Sequence, residues 1–96
     1  LFLSKIHPNK LCNKLSSKDI NNLINSIKKV LKQSIKLGGS SIKNYKNPFG
    51  QSGLYQTVFN VYGRAKSNCI KDRCRGIIRR IIISKRSTFY CNICQK

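Results

Sequence analysis

Four of the five cysteines fall into two pairs near one end of the sequence, Cys69-Ile-Lys-Asp-Arg-Cys74 and Cys91-Asn-Ile-Cys94, with sixteen residues (75 to 90) between them. Zinc takes four ligands at tetrahedral corners, and two Cys-loop-Cys knuckles facing each other across a hairpin can supply them. The second pair has the tight C-x-x-C spacing. The first is looser, with four intervening residues, and still lies within the range of structural sites. The competing chemistry is a pair of disulfides, which needs an oxidising compartment. Against it, the opening Leu1-Phe2-Leu3 is too short for the apolar core of a secretion signal. The spacing therefore favours one structural zinc ion held by Cys69, Cys74, Cys91 and Cys94. The fifth cysteine, Cys12, is expected to be a small core residue, because free cysteines are commonly buried.

Little else here could do covalent chemistry. The sequence has no glutamate, one histidine and two widely separated aspartates, Asp19 and Asp72, so it lacks a carboxylate pair for acid–base hydrolysis. His7 has neither an acid nor a nucleophile near it in sequence and reads as a turn residue ahead of Pro8. What the sequence has in excess is positive charge: twenty Lys and Arg against two acids, a formal net charge of +18. Self-repulsion on that scale suits a protein that meets a polyanion. No apolar run approaches the length of a membrane span, so nucleic acid is the expected partner and a membrane surface is not. All six arginines (Arg64, Arg73, Arg75, Arg79, Arg80 and Arg86) lie in or just before the cysteine-rich region, and the guanidinium fork matches phosphate oxygens two at a time.

At 96 residues the chain can hold one domain or two small modules over a modest core, the setting in which a metal staple is most useful. With no methionine and an apolar first triplet, it reads as a fragment that starts inside an element. Leu1 to Ile6 is expected to be the tail of a helix, closed at His7-Pro8. Ser16-Ser17-Lys18-Asp19 resembles a capping box. After it, Ile20, Leu23, Ile24, Ile27, Val30, Leu31 and Ile35 recur at helical spacing, with Lys28, Lys29, Lys32 and Lys36 on the other side as a solvated face. Gly38-Gly39 should end that helix. Ser40 to Tyr55 reads as a long loop, functional or disordered, and Tyr55 to Tyr62 as a short strand or an irregular segment with its aromatics packed inward. Gly76 to Ile83, rich in β-branched residues, should be the first strand of a hairpin, Ser84-Lys85-Arg86 its turn and Ser87 to Tyr90 the return. The expected fold is small and α+β.

Several blocks in a fixed order carry a resemblance. Lys5-Ile-His-Pro8, the capped helix ending Gly38-Gly39, Gly53-Leu-Tyr-Gln56, Val61-Tyr-Gly-Arg64 and Arg86-Ser-Thr-Phe-Tyr-Cys-Asn-Ile-Cys-Gln95 together resemble the end of bacterial formamidopyrimidine-DNA glycosylases, the Fpg/Nei repair enzymes. The resemblance covers essentially the whole chain. It implies part of a helix–two-turn–helix DNA-binding domain over residues 1–63, with a lesion-loop equivalent near 44–56, followed by that family's zinc finger over 64–96. Such enzymes flip a damaged nucleotide out of duplex DNA, remove oxidised purines such as 8-oxoguanine and formamidopyrimidines, and cut the backbone by successive β- and δ-elimination. Their N-terminal proline nucleophile, its neighbouring glutamate and a lysine have no counterpart here, so this chain alone is expected to be inactive without a missing N-terminal catalytic domain.

By the same resemblance, Cys69, Cys74, Cys91 and Cys94 match the zinc ligands. Arg86 matches the finger arginine that clamps phosphate beside the lesion and is assigned the proton-donor role in δ-elimination. Read without the resemblance, Arg86 is a solvated turn residue. Lys85 and Arg64 are expected to add DNA contacts. Lys46 to Tyr55 aligns with the loop that closes over the flipped base, and Phe49 stands where the family often has an acid. The implied partner is damaged double-stranded DNA met by a monomer in a bacterial cytoplasm, nucleoid-associated when bound. The alternative is a non-catalytic zinc-ribbon nucleic-acid module of ribosomal or transcription type, which accounts for charge and cysteines but not for the ordered blocks before them.

Overall fold

The longest element is α1, Ser17–Lys36, and both its ends are set by short-range chemistry legible in the sequence. At the start, the Asp19 N–H donates to Ser16 Oγ and the Ser16 N–H donates to Asp19 Oδ2, each at 3.1 Å. This is a reciprocal capping box with aspartate in the place more often held by glutamate or glutamine. Lys10 Nζ approaches the same carboxylate at 3.4 Å. The Ser16 N–H first, and Lys10 with it, hold the Asp19 carboxyl below its ordinary value. At the other end the Gly39 N–H donates to the Ser34 carbonyl and the Gly38 N–H to the Ile35 carbonyl. With Gly38 at φ 76°, this is a Schellman closure built on the residue type that takes a left-handed conformation without strain.

The computed structural model describes residues 1–41 and 46–96, so Ile42 to Tyr45, part of the predicted long loop, lie outside the described residues. The chain divides into two compact units, Leu1–Ser26 with Asn60–Lys96, and Ile27–Phe59, the division falling inside α1. None of the α1 residues is buried. Leu23 and Val30 of its apolar stripe are half-buried, while the rest is exposed, from Ile20 and Ile24 at 45 % to Ile35 at 79 %.

In the unit Ile27–Phe59, the Leu54 N–H donates to the Leu37 carbonyl and the Tyr55 N–H to the Gly39 carbonyl, both at 2.9 Å. Ser40 and Leu54 form an isolated antiparallel bridge. Gly53 is pressed so closely on the Gly38–Gly39 backbone that a β-carbon there would collide with the Gly39 carbonyl group. Ser41 Oγ accepts the Gly53 N–H at 2.7 Å, and Gln56 spans the same stretch through the Ser41 N–H and the Gly53 carbonyl. The described parts of the predicted loop are therefore fastened to the helix end. Tyr55–Val58 is a 3-10 turn rather than a strand, with Tyr55 edge-on to Phe59 at 5.5 Å.

The other unit is built round a hairpin of β1, Ile78–Ile83, and β2, Arg86–Cys91, antiparallel from Ile78↔Cys91 to Ile83↔Arg86. The turn is two residues, Ser84 and Lys85, both at positive φ, the backbone that matches strand twist in a tight hairpin. Arg86, expected in the turn, is instead the first residue of β2. The Leu1 to Ile6 segment makes the terminal hydrogen bonds of a helix, Ile6 N–H to the Leu1 carbonyl and Lys5 N–H to the Phe2 carbonyl, both at 3.1 Å, with Lys5 at φ 61°. His7 is a turn residue, its Nδ1 accepting the Asn9 N–H. Cys12 is exposed in a short 3-10 turn, Cys12–Lys14. The core assignment for it is thus corrected: the turn directs this side chain to solvent, and the buried cysteines are those of the paired set. The core proper is small, with Cys69, Ile78 and Cys91 buried together and Phe2, Val61 and Phe89 packed on them.

The cap at the start of α1 can be tested directly. Ser16→Ala should cost about 1 kcal/mol in denaturant unfolding. Because the Asp19 carboxyl titrates below its ordinary value when folded, its contribution is complete above about pH 4 and is lost as pH falls through that lower folded value. Helix content followed by circular dichroism through the acid range should therefore drop in the wild type, and this component should be missing from Asp19→Asn.

Candidate metal centre and basic hairpin

The four predicted ligands converge. The Sγ atoms of Cys69, Cys74, Cys91 and Cys94 all lie within 4.8 Å of one another. Cys69–Cys94 and Cys74–Cys91 are separated by 3.8 and 3.7 Å, and Cys74–Cys94 by 3.3 Å. A tetrahedron with Zn–S bonds near 2.3 Å has edges of about 3.8 Å, whereas a disulfide needs its sulfurs about 2.05 Å apart. The spacing fits a cation between the sulfurs and does not fit bonds among them, which removes the disulfide alternative. Each knuckle also turns backbone N–H groups toward sulfur: Lys71 to Cys69 Sγ at 3.5 Å, Gly76 to Cys74 Sγ at 3.3 Å and Cys94 to Cys91 Sγ at 3.4 Å.

The electrostatics point the same way. Burial opposes ionisation of Cys91, but N–H groups of Cys94 and Ile93 and the neighbouring Cys69 and Cys74 thiols outweigh it and bring its pKa down to about 7. Burial and then the other three thiols push Cys94 up to about 12, and burial pushes Cys69 up. One thiolate forms readily in this pocket, and its presence discourages the next. A central cation would offset the burial that opposes ionisation of Cys69 and Cys94, and a tetrahedral zinc ion is the soft divalent ion that sulfur sets of this kind hold.

Residues that pattern-reading passed over hold the knuckles in place. A β-carbon on Gly76 would run into Cys91 Sγ and crowd Cys74 Sγ, so this position must be glycine for the sulfurs to meet. The Gly76 carbonyl accepts the Cys69 N–H at 2.8 Å. Asn92 Oδ1 accepts the Ile77 N–H at 2.9 Å. Gln95, 3 % exposed, takes the Cys91 N–H on its oxygen and donates from its nitrogen to the Ile6 carbonyl, each at 2.9 Å. It ties the second knuckle to a turn nearly the whole chain away. Its position directly after C-x-x-C was the available signal.

The hairpin carries charge outward. Lys85 and Arg86 are exposed at the end remote from the knuckles, roughly 17 Å away for strands of this length. Arg79 and Arg80 are exposed on β1, and Arg80 donates twice to Ser87 Oγ, at 3.0 and 2.7 Å. Arg64 is half-buried and donates to the carbonyls of Asn60 at 2.6 Å and Asn68 at 3.1 Å, so part of its fork braces the entry to the finger. His7 meets Tyr90 edge-on at 4.5 Å, and Tyr62 meets Phe89 at 5.1 Å.

The fold and this centre have close counterparts. One family profile, the formamidopyrimidine-DNA glycosylase H2TH domain, matches residues 1–46, and a second, the zinc finger found in FPG and IleRS, matches residues 72–96. The formamidopyrimidine-DNA glycosylase of Roseobacter denitrificans is 42 % identical over 96 residues, all of this chain and 34 % of that protein. That of Bdellovibrio bacteriovorus is 43 % identical over 96 residues, again all of this chain and 35 % of the relative. Among solved structures, Lactococcus lactis Fpg in complex with abasic-site DNA superposes with a TM-score of 0.87 at 40 % identity, covering 99 % of this chain and 34 % of that one. MutM in complex with DNA containing carbocyclic 8-oxo-G superposes at 0.82 with 38 % identity, covering 99 % and 32 %. The chain spans about a third of the length of the relatives it matches. Profile, sequence and backbone agree along the same residues, and the chain belongs to the formamidopyrimidine-DNA glycosylase family, matching its C-terminal H2TH and zinc-finger part.

Proposed function

We propose that this chain is the damaged-DNA-binding part of a base-excision repair glycosylase and AP lyase that removes oxidised purines, with the chemistry supplied by an N-terminal catalytic domain. The observation that carries the reading is the colinear match over 99 % of the chain to a protein crystallised on abasic-site DNA, joined to a net charge of +18 that a duplex would neutralise. Residues 1–63 act as the helix–two-turn–helix portion and 64–96 as the finger. Cys69, Cys74, Cys91 and Cys94 hold one zinc ion, which stiffens the hairpin.

Arg86 then meets a backbone phosphate beside the lesion. Its exposed guanidinium at the start of β2, next to a two-residue turn, suits this task, since a rigid element positions a charged group better than a loop does. In the assembled enzyme the same group serves as proton donor for δ-elimination. Lys85 adds a neighbouring phosphate contact. Arg64 contributes through whatever donors its two carbonyl bonds leave over. The protein works as a monomer in the bacterial cytoplasm and is drawn to the nucleoid when bound.

Duplex DNA with an abasic-site analogue should bind more tightly than undamaged duplex, and both should weaken steeply with salt, by roughly 0.9 log units per log unit of salt for each phosphate contact. Arg86→Ala should flatten that slope by about one contact and cut affinity for the abasic-site duplex. Equal affinity for structured RNA and damaged DNA would instead favour a general nucleic-acid module. Borohydride should trap no covalent complex between this chain and damaged DNA, and a trapped adduct would place a nucleophile within these residues.

Zinc stoichiometry by elemental analysis should be one per chain. Removal by a strong chelator should abolish the near-ultraviolet circular dichroism signal of the finger and lower abasic-site affinity together, with both restored by added zinc.

A further inference from the structure

The metal-binding corner gathers a second set of charges from distant parts of the chain. The Lys5 carbonyl accepts the Lys96 N–H at 3.2 Å, and Gln95 bonds the adjacent Ile6 carbonyl, so residue 5 is fastened against the second knuckle. Lys71 lies inside the first knuckle, between Cys69 and Cys74. Lys5 and Lys71 line one open depression of about 330 Å³ together with Ile93, Cys94 and Lys96. The one ion pair among the described residues, Lys10–Asp19, involves neither lysine.

Lys5 also sits at φ 61°, a conformation open to glycine and strained for a residue with a β-carbon. Two lysines gathered on one depression beside Cys94, one of them on a strained backbone, are placed to face a negative charge. The anion that the fold assembles at this place is the metal centre itself, because four thiolates around one divalent cation leave two uncompensated negative charges. The depression opens on Cys94. Arg86 and its phosphate contact are at the far end of the hairpin and cannot serve.

We propose that Lys5 and Lys71 are the counter-charges of the zinc tetrathiolate: they offset its excess negative charge from the Cys94 side, tighten its hold on zinc and make its thiolates poorer nucleophiles. The proposal rests on the metal centre and is independent of the DNA-binding reading.

Zinc affinity, read by competition with a chromophoric chelator, should fall roughly two- to fivefold in Lys5→Met and in Lys71→Met. It should fall further in the double variant, and the differences should shrink at high salt as the charges are screened. Lys5→Arg should restore the wild-type value. Lys5→Gly separates charge from backbone: it relaxes the left-handed turn, so thermal stability of the zinc-loaded chain should hold or rise while zinc affinity falls as in Lys5→Met. N-ethylmaleimide should modify the zinc-bound thiolates faster in the double variant than in the wild type. Unchanged zinc affinity and unchanged alkylation in the double variant would overturn the proposal. So would inorganic phosphate binding that disappears in the double variant with zinc affinity unmoved, since the lysines would then serve an external anion. A wild-type chain with no zinc in elemental analysis would overturn both the proposal and the centre beneath it, an outcome told apart by its stoichiometry.

Discussion

Four sulfurs drawn to within 4.8 Å of one another are the constraint on which the rest of this unit depends. Among the described residues the buried apolar set is Ile6, Cys69, Ile78 and Cys91, so two of its four members are metal ligands. The hydrophobic effect has little to work with at this size, and the bonds to zinc take over much of the role of a core. Ligands and fold are then one equilibrium, since the thiolates meet only in the folded chain and repel one another without the cation. The influence spreads outward in short steps. Gln95 links the Cys91 N–H to the Ile6 carbonyl, and the ladder from Ile78↔Cys91 to Ile83↔Arg86 carries the orientation of the knuckles to the hairpin tip.

Backbone strain in the described residues is concentrated where positive charge is displayed. Five non-glycine residues have positive φ: Lys5, Lys66, Arg73, Ser84 and Lys85. Four of them are basic. A left-handed conformation costs such residues about 1–2 kcal/mol relative to an unstrained one, and glycine or asparagine would avoid much of that. All five are exposed residues in turns. Keeping lysine or arginine there sacrifices local stability for charge held at a turn, which at Lys5 suits the metal centre and at the hairpin tip suits a partner that is itself a line of phosphates.

The parts of the structure visible in the sequence are those governed by neighbours in sequence. The Ser16–Asp19 box and the Gly38-Gly39 closure are local bonds, and both ends of α1 followed from them. The cysteine spacing encoded a ligand set because each knuckle is a short loop whose geometry hardly depends on its surroundings. Features set by contacts between remote residues were not readable. Cys12 looked like a core residue because its type is usually buried, yet its 3-10 turn faces solvent. Gly53 has a reason for being glycine only once the Gly38–Gly39 backbone is seen against it, and Gln95 only once the Ile6 carbonyl is beside it. Arg64 is expected from the sequence to contact DNA, and the two carbonyls that also hold its guanidinium are seen only in the fold.

The helix and the finger differ in what holds them. A twenty-residue helix is longer than the roughly 12–15 residues below which isolated helices are marginal in water, yet in proteins packing of an apolar face usually supplies most of the stability. Here the face is present but only partly covered, with Ile20, Ile24, Ile27, Leu31 and Ile35 between 45 and 79 % exposed. Two complete caps satisfy the end groups that would otherwise fray, which defines where the helix stops but contributes far less than burial of five large aliphatic side chains would. The finger has the opposite balance, with scarcely any apolar surface to bury and a metal to tie it. The chain's fixed point is therefore the zinc end. The amphipathic helix has its ends fixed by its caps and carries five exposed large aliphatic side chains along its apolar stripe.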